Sequence, residues 1–497
     1  MDLVRKCLFI AFLLLPSVAM SQTAAARQQL DAQATLADID LAEQALSALH
    51  AGYDRYLARE ALDQLWSDVR ARSQDGLTRG ELYFHISRVL AEIRCDHTKA
   101  ELPKDIEDER QRAPLYLPFR FQFFERRMYV TQAAEGIALD RGAEIVSIDG
   151  RPVADLIDAV SSVFPVDGDT DYIKAHSIAN FGEFMGPAFE HFMPFVYTLK
   201  PDAELQLRGE GGDLRTLVVP RIGFEAYAGI TGEARYSRNF VDAVRFETLG
   251  DDAGYLAVDT FINYRKPVDP DDLYAPVFKR MREEGRDKLI IDLRRNGGGS
   301  NDAAWGLFRW LINAPIQPTP EIWTRFDRIE PELREHLSTW DERVLKPKPR
   351  WFRQIDNGYY KLVSKLAGAP WRKMKPKRGA FDGEIIMLTS YDNASGVTHL
   401  LSALKGIDRA MFVGEPTGGA STGATAGYIA FLTLPNSAIK IRIPLQRTIM
   451  ANSDRLDPRG GIRPDVEVLQ TRESYFAGED PALATAKRLF GVVDASP

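Results

Sequence analysis

Two stretches of this chain, Lys288-Leu289-Ile290-Ile291-Asp292-Leu293 and Glu384-Ile385-Ile386-Met387-Leu388-Thr389, are apolar on consecutive rather than alternate residues. A strand of that kind has no face to give to water, so both faces must be covered, as helices cover an α/β sheet. The flanking pattern agrees. A strand at 254–258 precedes a helical stretch over 270–284, and a helix running through Ile312 follows the first apolar strand. A helical pattern also follows the second strand at once. A strand at 410–413, a glycine-rich loop over 414–427 and strands near 429–434 and 439–444 complete the region. Strands alternating with helices predict a partly parallel α/β sheet beginning near residue 245.

Arg5 and Lys6 precede an apolar run from Cys7 to Val18 and the small-residue step Ala19-Met20-Ser21, the grammar of an export signal over 1–21. The run is short for a bilayer span of roughly 20 residues, and no later segment is long and apolar enough to span. The reading is an exported chain, periplasmic or secreted. About 475 residues remain after cleavage, enough to bury several cores unaided. Of the two cysteines, Cys7 leaves with the signal and Cys95 then has no partner for an internal disulfide.

The formal charge of −7 is uneven: residues 346–378 carry 11 Lys/Arg against one acid, Asp356, with Trp351, Phe352, Tyr359, Tyr360 and Trp371 interleaved. A basic, aromatic segment can bind nucleic acid, but an acidic exported chain has little occasion to meet any. A solvated insertion or lid that steers anionic groups is the preferred reading, with no nucleic-acid partner.

Upstream, 25–93 reads as helices, the last opened by the capping box Thr78-Arg79-Gly80-Glu81 and carried by Leu82, Ile86, Val89, Leu90 and Ile93. It delivers the chain to the loop Asp96-His97-Thr98. The pattern then turns mostly to strands over 115–222. Gly142-Ala143-Glu144-Ile145-Val146-Ser147-Ile148-Asp149-Gly150-Arg151-Pro152-Val153 is a strand, a tight Asp-Gly turn and a second short strand, followed by a helix over 154–160. That string resembles the second half of a PDZ domain, and it equally fits an ordinary β-turn-β-α unit.

Ser395 stands where the second apolar strand ends in a small-residue turn and a helix begins. A hydroxyl there is held clear of the sheet, and the new helix's N–H groups can stabilise negative charge beside it. A serine also needs a base and oxyanion donors. Of seven histidines, His50 and His85 fall on helices and His176, His191 and His336 lack a motif. His399, one turn beyond Ser395, points elsewhere from its own helix. His97, in its loop, is the best base by context, although a lone surface or core-edge histidine looks the same in sequence.

At this point five segments in order resemble peptidase family S41, the tail-specific and C-terminal processing proteases with their tricorn-core and interphotoreceptor-retinoid-binding-protein-like relatives. They are Asp96-His97-Thr98, Ile291-Asp292-Leu293-Arg294-Arg295-Asn296-Gly297-Gly298-Gly299, Asn393-Ala394-Ser395, Gly414-Glu415-Pro416-Thr417-Gly418-Gly419 and Gly461-Ile462-Arg463-Pro464-Asp465. The processing branch uses a Ser-Lys dyad, and its lysine position here is Ala420. The tricorn-like branch uses Ser, His and an acid, and the chain resembles that branch.

The resemblance implies Ser395 as nucleophile, His97 as general base and an oxyanion hole from the N–H groups of Gly396 and Gly298. For the acid it implies a carboxylate in 454–461, where Asp457 is preferred and Asp454 is second. It implies a crotonase-like (ClpP/crotonase) core over 240–475 with the insertion at 315–379. A helical region at 22–105 and a β-rich, PDZ-like module at 106–225 precede the core. Glu415 and Asp465 are expected to be structural.

The expected activity is serine endopeptidase action on polypeptides, entered through unstructured C-terminal tails, with no cofactor and no metal. A binding protein on the same scaffold, inactive or retuned for a peptide or apolar ligand, is the rival reading, against which the intact Ser395 and His97 speak. Cys95 as nucleophile has no supporting motif, and a metallohydrolase lacks a His-Glu-x-x-His or comparable cluster.

Overall fold

The structure is a computed structural model that describes residues 23–180, 184–209, 211–230, 239–355, 358–364 and 373–492. The export signal and Cys7 fall outside these residues, as does Trp371. No helix among the described residues is long and apolar enough to cross a membrane.

The two apolar strands, Lys288–Asp292 and Glu384–Thr389, lie side by side and parallel, Lys288 opposite Glu384 and Asp292 opposite Leu388. Ala253–Val258 flanks the first and Met411–Gly414 the second, both parallel, and Val466–Glu467 extends the sheet beyond them. Only Val244–Leu249 runs antiparallel, at the far edge.

Their composition is explained by what covers them. Leu289 and Ile291 face a core built with the helices Pro270–Glu283, Asn301–Leu311 and Ser395–Lys405. Ile290, Ile386 and Leu388 face the other way, onto Ala486 of the helix Pro481–Leu489 and the following Phe490. Successive side chains of a strand alternate faces, so a sheet with helices on both sides needs every residue apolar. Each fully buried side chain of this size contributes about 1.5–3 kcal/mol.

A second sheet is centred on the hairpin Thr425–Thr433 and Lys440–Ile449. The insertion adds short strands to it, while basic side chains such as Lys346, Lys348, Arg350 and Arg353 stay exposed. Glu321–Thr324 pairs with Lys440–Ile449, Tyr360–Leu362 and Phe352–Gln354 follow, and Leu337–Ser338 adds to the other side. Its aromatics serve this packing: Trp323 lies against Tyr359, and Phe326 against Phe352.

The third sheet is antiparallel: Phe119–Phe124, Arg127–Ala133, Glu144–Ile148, Asp202–Arg208, Leu214–Pro220, with Arg151–Pro152 on Glu144–Ile148. Asp149 and Gly150 both have positive φ, 52° and 76°, as the two central residues of a tight hairpin turn require. The N-terminal helices Ala32–Leu49, Arg59–Arg72 and Arg79–Glu92 have no core of their own. Leu46, Trp66 and Ile86 belong to one cluster with Phe119, Ile145, Ile441 and Ile443, so helices, antiparallel sheet and hairpin share their burial.

Candidate active site

The site assembles at the carboxyl ends of the two central parallel strands, where an open α/β sheet leaves a crevice for ligand. Ser395 has φ 56° and opens the helix Ser395–Lys405. A left-handed conformation is costly for a residue with a Cβ, and a sharp strand-to-helix turn is where a nucleophile is held that way. Asn393 fixes the turn from inside. Its Nδ2 donates to Leu293 O at 2.6 Å and Asn296 O at 3.0 Å, and its Oδ1 accepts the Ser390 N–H at 2.9 Å. The nucleophile turn and the glycine loop therefore move as one piece.

The glycine loop passes under Ser395. Gly298 has φ 105°, and a Cβ there would lie 2.8 Å from Ala394 O and 2.9 Å from both Gly396 N and Ser395 Cβ. Glycine is required twice over, by conformation and by space. The Gly298 N–H, expected as an oxyanion donor, is already used: it donates to Asn296 Oδ1 at 2.8 Å. Gly299, also at positive φ (134°), is the better donor. Its N lies 3.5 Å from where a Gly396 Cβ would stand, and no acceptor for it is found among the described residues. Gly396, in the first turn of its helix, has no intrahelical acceptor either.

His97 reaches the nucleophile across a distance of 298 residues in the chain: its Nε2 is 3.1 Å from Ser395 Oγ. The helix Arg79–Glu92 leads to its loop. Immediately after it, Ala100 and Glu101 pair with Ile441 and Lys440 as an extra strand of the second sheet. Between them Thr98 Oγ1 contacts His50 Nε2 at 2.6 Å. The loop is thus tied at both ends and in the middle.

The acid is where the structure departs most from expectation. Asp457 is exposed on its loop. Its Oδ1 accepts the Arg459 N–H at 2.9 Å, and its carbonyl accepts from Ser421 Oγ at 2.5 Å. Asp454 is exposed as well. Neither is brought to His97. Asp96, the residue before it, lies with Oδ1 against His97 Nδ1, close but off the line of an N–H···O bond.

Asp167 stands behind this pair, 2% exposed. Its Oδ1 accepts the Asp96 N–H at 3.0 Å and its Oδ2 the Ala420 N–H at 3.2 Å. Ala420, where the lysine of a Ser-Lys dyad is expected to be lacking, thus gives its backbone N–H to a buried carboxylate. No motif marks Asp167. Its loop is drawn in because Gly168 N donates to Arg94 O at 3.0 Å and Asp169 N to Arg459 O at 2.7 Å.

These groups shift one another. Burial disfavours the His97 imidazolium, but the Asp96 charge outweighs it and holds the His97 pKa well above the ordinary value. Burial pushes the Asp96 carboxyl up, and the His97 charge reverses this and brings it to about 2. For Asp167 burial first and the Asp96 charge second outweigh the opposing pull of His97 and raise it to about 7. Cys95 is buried with its thiol pushed up by burial, which disfavours thiolate chemistry.

His399, Glu415 and Asp465 serve the frame around the site. His399 Nε2 accepts the Ala424 N–H at 3.2 Å, and burial lowers its pKa to about 4. Glu415 accepts from the N–H groups of Tyr391 and Gln470 at 3.3 and 3.4 Å, and Asp465 accepts that of Phe412 at 2.8 Å. An open cleft of about 1870 Å³ lies between the antiparallel sheet and the parallel core. Ser390, Tyr391 and Asp392, just before Ser395, line it on the core side, where His176 Nε2 meets Asp392 Oδ1 at 2.8 Å, and Phe124 and Tyr129 line it from the antiparallel sheet.

A comparison with known families matches residues 252–468 to peptidase family S41. Residues 252–468 are similar to that family along the whole matched stretch. The chain is a serine-type peptidase. The matched S41 region contains both apolar strands, the glycine loop, Ser395 and the 454–461 loop, whereas His97 and Asp96 lie upstream of it.

Two solved structures share the fold along nearly the whole chain. Mature CPAF complexed with lactacystin is 15% identical with a TM-score of 0.60, covering 92% of this chain and 97% of that one. Mature CPAF is 15% identical, also with a TM-score of 0.60, covering 89% and 94%.

Proposed function

We propose that this S41 peptidase is an exported endopeptidase that hydrolyses polypeptides through an acyl-enzyme on Ser395. His97 Nε2 takes the Ser395 proton as Oγ attacks the scissile carbonyl, and later gives it to the leaving amine. The Gly396 and Gly299 N–H groups receive the oxyanion, helped by the positive end of the Ser395–Lys405 helix. Asp96 steadies the imidazolium formed in that step, with Asp167 behind it. The carrying observation is the His97 Nε2 to Ser395 Oγ separation of 3.1 Å at a left-handed strand-to-helix turn.

In this reading the parallel core is the crotonase-like catalytic domain and the antiparallel sheet is a PDZ-like module. An unstructured segment of substrate, such as a loose C-terminal tail, enters through the cleft between them. Export rests on the residue pattern of 1–21.

The test is cleavage of an unstructured polypeptide, followed by mass spectrometry, beside the variants Ser395→Ala and His97→Ala. Either should lower turnover by about 10⁴- to 10⁶-fold, since such residues act as a unit. Equal cleavage by wild type and Ser395→Ala would remove Ser395 from the mechanism.

A further inference from the structure

Cys95, Asp96, His97 and Asp167 each offer one ligand atom, one sulfur, one nitrogen and two oxygens, and these atoms all lie within 4.8 Å of one another. Tetrahedral zinc, with bonds of roughly 2.0–2.3 Å, needs ligand atoms about 3.3–3.8 Å apart. Closing the cluster onto an ion therefore takes side-chain shifts on the order of half an ångström. Two of the atoms, Asp96 Oδ1 and His97 Nδ1, are shut off from solvent and lack an in-line hydrogen-bond partner. Cys95 and Asp167 are each 2% exposed and form the floor. The side chains of His97 and Asp96, 17% and 23% exposed, leave a way in.

We propose that these four side chains form an inhibitory site for a thiophilic divalent cation of the zinc class. The mixed sulfur, nitrogen and oxygen set suits zinc and disfavours magnesium or calcium, which take oxygen ligands. This deepens the reading of Ser395 and His97 as a catalytic pair and rests on it. Coordination displaces to solvent the Cys95 thiol proton, the His97 Nδ1 proton and the proton of Asp167 where it is held, and the thiolate and two carboxylates then balance the ion to a net charge of −1.

Inhibition follows from the imidazole. Nε2 faces Ser395 Oγ and Nδ1 faces Asp96, so the ion takes Nδ1. A neutral imidazole metallated at Nδ1 carries its proton on Nε2. It can then only donate to Ser395 Oγ and cannot accept the serine proton, so the base is lost while the site stays otherwise intact.

The binding test does not depend on activity. Full-length Ser395→Ala protein, reduced and freed of metal by chelation, is titrated with Co²⁺ alone and followed by absorption. One equivalent should give tetrahedral d–d bands and a thiolate-to-cobalt charge-transfer band, both removed by Zn²⁺. Adding Cys95→Ser should abolish the charge-transfer band, and adding Asp167→Asn should weaken binding at least tenfold, with circular dichroism checking the fold. In the active protein, Zn²⁺ should inhibit hydrolysis reversibly by chelator, and Cys95→Ser should raise the inhibitory concentration at least tenfold relative to its own uninhibited rate.

A charge-transfer band that is absent, or that survives Cys95→Ser, overturns the proposal, as does equal zinc sensitivity of Cys95→Ser and wild type. A protein that binds cobalt as described but hydrolyses nothing would instead contradict the peptidase mechanism and leave the metal site standing.

Discussion

Replacing Asp96 by Asn tests whether the residue beside His97 is the acid. In the transition state His97 is an imidazolium. Two opposite charges about 4 Å apart in an effective dielectric of about 20 attract by about 4 kcal/mol, or about 10³-fold in rate. Part of this returns, because the Asp96 charge is one of the two causes that raise Asp167 to about 7. Once that charge is gone, Asp167 ionises more readily beside the same imidazolium. The expected loss in kcat for Asp96→Asn is therefore about 10²- to 10³-fold, and Asp96→Asn with Asp167→Asn should lose more.

The pH profile is the sharper readout. The base must be neutral to accept the Ser395 proton, so wild-type kcat/KM should climb with pH through the raised His97 pKa, on the alkaline side of its ordinary value. Removing the neighbouring charge lowers that pKa, so the acid limb should move to lower pH in Asp96→Asn. Steady-state cleavage of a fluorogenic unstructured peptide across pH 5 to 10 measures both effects. Asp457→Asn, whose carboxylate only caps the Arg459 N–H, should change kcat less than about threefold. A large loss in Asp457→Asn with little in Asp96→Asn, or an acid limb unmoved by Asp96→Asn, would refute the assignment.

Other substitutions probe the same account. Gly298→Ala should lower kcat by about 10²-fold or more, because its Cβ would meet Ala394 O and Ser395 Cβ and displace the oxyanion donors. An active Gly298→Ala enzyme would show that the loop is not as tightly held as described. Glu190 is buried, with Oε1 on the Leu117 N–H at 3.4 Å and Oε2 unpartnered among the described residues. Burial raises its pKa from 4.5 to about 7, so the folded state holds this proton more tightly and loses stability as pH rises from about 4.5 to 7, by about 3 kcal/mol. Glu190→Gln should therefore stabilise the protein at pH 8 and change little at pH 4.5, read from denaturant midpoints. Phe490→Ala should cost about 3 kcal/mol in the same assay, since Phe490 packs on the outer face of the parallel sheet with Ile290 and Leu388.

What could be read from the sequence followed local rules. Consecutive apolar residues at 288–293 and 384–389 announced strands covered on both sides, and Ser395 declared itself by the turn it occupies. The capping box at Thr78 formed as read, with both of its reciprocal bonds. The parts that could not be read depend on contacts distant in sequence. Asp167 reaches the site only because Arg94 and Arg459 hold its loop, and no spacing rule links 96, 167 and 420. Asp96 was in view inside the Asp-His-Thr loop, but a residue adjacent to the base gives no periodic signal for a carboxylate folding back on its neighbour.

The covering helix Pro481–Leu489 and the two-residue strand Ala100–Glu101 lie below what periodicity detects. The strands of the insertion escape a reading by pattern because they are two to four residues long and charge dominates there. In the fold, Lys361 of that stretch pairs with Glu321, while Lys346, Lys348, Arg350, Arg353 and Lys375 stay exposed.

The central claim is that Ser395 is a nucleophile activated by His97. Reaction of the purified protein with a biotinylated fluorophosphonate, followed by peptide mapping, measures it directly. The account predicts a single stoichiometric adduct on Ser395, lost in Ser395→Ala and slowed by at least about 10³-fold in His97→Ala. An adduct on another residue, or labelling of Ser395 that proceeds equally fast without His97, would contradict it.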